Sequence, residues 1–145
     1  MRHLLSKAGM SHVQVNSAGV GATPGFPATR FAHEAVGMWD LNLVNHKSRP
    51  VTTELIENTD LILTMTPGHL HTVVSMAPAA ASRVFTLKSF PEADQNGDGI
   101  DDPMGSPRDV YNKVFLEIAE ELGRILPYVI ELARQKNTAA EAPRH

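Results

Sequence analysis

A chain of 145 residues, 42% hydrophobic and 20% charged, suits one domain with its own core. Its net charge of −3 gives no electrostatic pull toward nucleic acid or an acidic membrane surface. With no cysteine there is no disulfide, thiolate metal site, redox pair or thiol nucleophile. The apolar pair Leu4-Leu5 is far too short for a signal-peptide core, and no stretch approaches the ~18 apolar residues of a membrane span. A soluble, cytoplasmic protein is expected.

Arg2 to Ala8 reads as a helix that Gly9 stops, and His12 to Asn16 alternates like a strand ended by Ser17-Ala18-Gly19. A turn-rich stretch leads to a helical pattern from Ala28 to Met38. Thr52 or Thr53 caps a short helix through Asn58, with Glu54 and Glu57 near its start. Asp60 to Met65 is a nearly continuous apolar run, the pattern of a parallel strand covered on both faces. Pro67 then opens a helix to about Ala77, since a proline at the first turn has no intrahelical bond to lose.

Arg83 to Leu87 reads as another strand, and Ser89 to Ser106 as a long polar loop. From Pro107 the residues Val110, Val114, Ile118, Leu122 and Ile125 keep helical spacing until Pro127, which should kink or end the helix. The expected division is an α/β domain over 1–134 and a frayed tail over 135–145. Alternating strands and helices predict a three-layer sandwich around a small parallel sheet. The helix at Arg2 has no strand before it, so the sequence looks cut short at its front.

Several segments, in order, resemble the low-molecular-weight protein-tyrosine phosphatases, a family that includes bacterial arginine phosphatases. Asn16-Ser17-Ala18-Gly19-Val20 is similar to its strand-end S-A-G motif, and His46 to Leu55 to its H-x-S-R-P-L-T-x-E-L segment. Asp60 to Thr66 resembles its A-D-L-I-L-x-M-T strand, Val84 to Lys88 the next strand, and Asp102-Pro103-Met104-Gly105 its D-P-[YF]-G loop. The resemblance implies a four-stranded parallel sheet whose first, central strand and C-x5-R phosphate loop lie upstream of Met1. It implies hydrolysis of protein phosphate through phosphocysteine, with no cofactor or metal and with a phosphoprotein as substrate.

By the same resemblance Asp102 is the general acid, and Ser17 and His46 are phosphate-loop supports. Met104 takes the place of an aromatic that stacks on a phosphotyrosyl ring, which leaves tyrosine or arginine phosphate open. Without the cysteine the chain as written is expected to be inactive. The alternative is a non-catalytic phosphatase-like binding or assembly module, in one form calcium-responsive, with self-association through an open sheet edge.

Other patterns carry less. Asp94, Asn96, Asp98 and Asp102 have the spacing of a calcium loop, but Gly105 stands where a bidentate glutamate belongs. Gly19 to Gly25 hints at a dinucleotide turn, yet its third glycine is a residue late and Asp40 follows no second strand. His69 and His71, two apart on a helix, point in different directions and share no metal.

Overall fold

The computed structural model describes residues 1–94 and 97–143. Its elements in chain order are α1 (Arg2–Lys7), α2 (Arg30–Gly37), α3 (Thr53–Glu57), β1 (Ile62–Thr64), α4 (Pro67–Met76), a 3-10 turn (Pro78–Arg83), β2 (Val84–Thr86) and α5 (Arg108–Glu141). Thr29, Thr52 and Thr66 cap α2, α3 and α4, each hydroxyl accepting a backbone N–H of the first turn. Gly9 ends α1 at φ +75°, a backbone shape that favours glycine.

β1 and β2 pair in parallel, Ile62 with Val84 and Thr64 with Thr86, joined by the α4 crossover. Alternation along the strands sends side chains to opposite faces. Ile62 and Val84 enter one cluster with Ile56 of α3 and Leu70 and Val73 of α4. Leu61, Leu63, Phe85 and Leu87 turn to the other, with Leu5 of α1 and Val114, Ile125 and Val129 of α5. Both faces of the sheet are therefore covered by helices, which explains the unbroken apolar run in β1. α2 packs on the outside of α5, with the Phe31 ring edge-on to Tyr111 at 5.6 Å.

Three expectations need correction. Val13 and Val15 do face the core, as their alternation implies, but the segment from His12 to Asn16 forms no strand. A strand exists only beside a hydrogen-bonding neighbour, and among the described residues none flanks this one. The Val15 carbonyl instead accepts the Arg2 guanidinium, at 2.7 Å from Nε. The chain after it makes an isolated bridge between Gly19 and Pro50.

The sheet accordingly has two strands rather than three, and β1 has an open edge. Leu87 donates to the Thr64 carbonyl, which places Thr64 toward β2. Alternation turns the Leu63 N–H and C=O away from β2, where no strand lies among the described residues.

Finally, α5 neither ends nor stops short at Pro127 but runs on to Glu141. The proline ring crowds the carbonyl of Gly123, and the cost in a helix interior is ~3 kcal/mol. Ile125 and Val129 are buried on either side of it, so packing holds both halves against the core. Residues 135–141, left as tail by the sequence reading, are helical. They are docked by Lys136 on Asp60 and by Asn137, 3.1 Å from the His12 ring.

Gly123 is exposed, and a Cβ there would meet no atom within 4 Å. Gly123→Ala should raise stability by ~1 kcal/mol in urea denaturation, the ordinary propensity gain in a helix. A less stable variant would show that the bare glycine accommodates the proline ring.

Candidate active site

Parallel sheets gather their ligand sites beyond the carboxyl ends of the strands. The carboxyl end of β1 is where the loop carrying Asp102 is attached. The Ile100 N–H donates to the Met65 carbonyl at 2.8 Å, and the Ile100 side chain is 2% exposed within the α1–α5 core. Gly99 lies so close to β1 that an added Cβ would stand 3.2 Å from the Met65 oxygen and from Thr66 Cα.

Beyond this anchor the loop turns outward. Asp102 is exposed, and its Oδ1 accepts the Met104 N–H at 3.0 Å, a local turn that orients the carboxylate. Ser106 N–H donates to the Pro103 carbonyl, and Gly105 sits at φ +80°. Met104 is 72% exposed.

α5 starts immediately afterwards, and Arg108 in its first turn pairs with Glu34 of α2 at 2.6 Å. The Arg108 guanidinium also lies 5.6 Å from the Phe31 ring centroid. The hydrogen bond from Arg108 holds the Glu34 carboxyl below its ordinary value, burial opposing it and Arg30 assisting. Because the folded value is lowered, this tie is complete at neutral pH and is lost as pH falls through it. The pair is exposed enough that its contribution is small.

Ser17 and His46 stand in a second assembly. Arg49 Nε donates to the Ser17 carbonyl at 2.9 Å, Gly19 N–H donates to the Arg49 carbonyl, and Val51 N–H to the Gly19 carbonyl. Ser48 clasps the next turn: its hydroxyl accepts from Phe26 N–H and donates to the Thr23 carbonyl. Ser17 is exposed and His46 half-buried, and neither side chain has a hydrogen-bond partner among the described residues. The structure thus joins the Ser17 and His46 segments through backbone. No hydrogen bond or ion pair among the described residues ties either to Asp102.

The glycine-rich stretch from Gly19 to Gly25 belongs to this clasp, and α2 begins only at Arg30, so it is no dinucleotide turn. Of the calcium-spaced residues, Asn96 lies outside the described residues. Asp94 folds against Gly97, its Oδ2 standing 2.7 Å from where a Cβ would be. No three acidic or histidine side chains come together as a metal site among the described residues. No helix there is long and apolar enough to cross a membrane.

Sequence reasoning passed over Gly99, Ile100, Ser48 and Arg108. Ile100 left a signal, a lone large apolar residue in a polar loop, but its partner on β1 is distant in sequence.

The family model for low molecular weight phosphotyrosine protein phosphatase matches residues 1–138. The chain is 39% identical to a protein-arginine-phosphatase of Bacillus subtilis over 114 residues, 79% of this chain and 74% of that protein. It is 35% identical to the low molecular weight protein-tyrosine-phosphatase Wzb of Salmonella typhi, over 70% of this chain and 65% of that one. The crystal structure of a YwlE mutant from Bacillus subtilis superposes with a TM-score of 0.79 at 34% identity, covering 88% of this chain and 84% of the other. With the family model matching nearly the whole chain and a relative 39% identical, the chain belongs to the low molecular weight phosphotyrosine protein phosphatase family.

Proposed function

We propose that this chain supplies the proton-transfer part of a protein phosphatase site, acting on phosphate carried by a protein tyrosine or arginine. As given, it has no nucleophile of its own. The observation that carries the reading is the loop at the end of β1, which displays an exposed Asp102 on a buried anchor. One carboxylate oxygen is engaged by Met104 N–H, which leaves Oδ2 to hold the transferable proton. Asp102 would protonate the leaving oxygen or nitrogen as its bond to phosphorus breaks. As a carboxylate it would then take a proton from the water that attacks the phosphoenzyme.

The first of those steps needs a nucleophile to take the phosphoryl group as the leaving group departs. In the family that role belongs to a cysteine thiolate, and this sequence contains no cysteine. A serine hydroxyl requires an adjacent base to serve instead. Among the described residues Ser17 has none bonded to it. Met104, with its flexible thioether at the mouth of the loop, supports a substrate that need not present an aromatic ring.

The purified chain should release no phosphate from phosphotyrosyl or phosphoarginyl protein above the uncatalysed rate. Joining the strand and C-x5-R loop of the Bacillus subtilis relative ahead of Met1 should restore turnover, and Asp102→Asn should then lower kcat ~100-fold or more. Turnover by the chain alone would contradict the reading, and an Asp102→Asn fusion of full activity would remove Asp102 from it. Whether phosphotyrosine or phosphoarginine is the better substrate of the fusion assigns the specificity.

The open edge of β1 supports a second role, association with another chain. Leu63 offers an unpaired backbone there, and a groove of about 410 Å³ lined by Arg2, Leu5, Met10, Val13 and Val15 opens beside the unpaired segment. Such edges pair with other strands unless covered. Sedimentation over a concentration series should show dimers or larger species; a monomer throughout would reject this role.

A further inference from the structure

We infer that Gly99 and Ile100 are positioning residues that set where the Asp102 carboxylate stands, resting on the reading of Asp102 as the proton donor. Between β2 and α5 the loop returns to the end of β1 just before Asp102. There the Ile100 N–H is bonded to the Met65 carbonyl and the side chain is buried among Leu87, Phe90 and Val114. Asp102 follows two residues later, with only its own local turn to hold it.

Glycine is what allows this anchor. A Cβ at residue 99 would meet the Met65 oxygen, Thr66 Cα and Thr66 Cγ2, all at 3.2 Å. Two of these are backbone atoms at the junction of β1 and α4, which cannot yield without moving the strand end or the helix cap. The loop would have to lift instead, carrying the Ile100 bond and Asp102 with it. After Asp102 the chain enters α5, whose Tyr111 and Val114 are buried in the core. Asp102 therefore stands on a short span tied at both ends, and the front tie is the nearer.

Residual dipolar couplings of the 101–106 backbone amides, measured on the full chain, read the loop's orientation independently of global stability. In the native chain and in Ile100→Val they should fit the same alignment as α4 and α5. In Gly99→Ala and Ile100→Ala they should cease to fit and shrink about two-fold or more, with the helix couplings unchanged. Couplings unchanged in both variants, with only a lower Tm, would make Ile100 a core residue and nothing more, overturning the inference. If Ile100→Ala is too unstable to align, Gly99→Ala, which removes no buried atom, decides alone. The couplings report the loop's place whatever Asp102 does, so failure of the proton-donor reading is seen separately, in the Asp102→Asn fusion.

Discussion

Three consecutive residues at the end of β1 hold the rest of the molecule in register. The Thr64 carbonyl takes the Leu87 N–H and its hydroxyl reaches the Phe85 and Thr66 carbonyls, closing the ladder to β2. The Met65 carbonyl takes the Ile100 N–H, fixing the loop that bears Asp102. The Thr66 hydroxyl takes the His69 N–H, starting α4. A buried backbone group left unpaired costs of order 1–3 kcal/mol, so the three bonds are mutually reinforcing. Strand, crossover helix and the Asp102 loop all meet at one point.

The layered packing follows from that point. With β1 and β2 fixed, alternation gives each face its own cluster, and the helices cover both. Arg124 adds a tie from α5, its guanidinium donating to the carbonyls of Phe90, Leu87 and Lys88. That clasp joins the end of β2 to α5, so the long loop leaves a braced frame before Ile100 returns it to β1. The Asp102 loop is exposed at its tip and anchored at its base.

Much of the fold was legible because it rests on local signals. Helices α2, α3 and α4 begin at threonines whose hydroxyls cap them, and β1 and β2 fall within the apolar runs that announced them. The failures are non-local. Alternation at Val13 and Val15 reads as a strand but could not say whether a partner strand lies beside it; both pack against the core without one among the described residues. Pro127 carries a local stop signal that burial of Ile125 and Val129 overrides. The proposed role of Asp102 rests on resemblance, not on a local pattern. Nothing in a Gly-Ile pair within a polar loop reveals that the glycine touches a strand end far away in sequence.

The family fold is present here, the sequence contains no cysteine, and our proposal is that the chain carries no group able to attack phosphorus. Intact-mass spectrometry of the folded chain, after incubation with an excess of phosphoarginyl or phosphotyrosyl protein and quenching in a phosphoryl-preserving buffer, tests it most directly. A single unmodified mass is expected. A stoichiometric phosphoryl adduct on any side chain, Ser17 or His46 included, would contradict it.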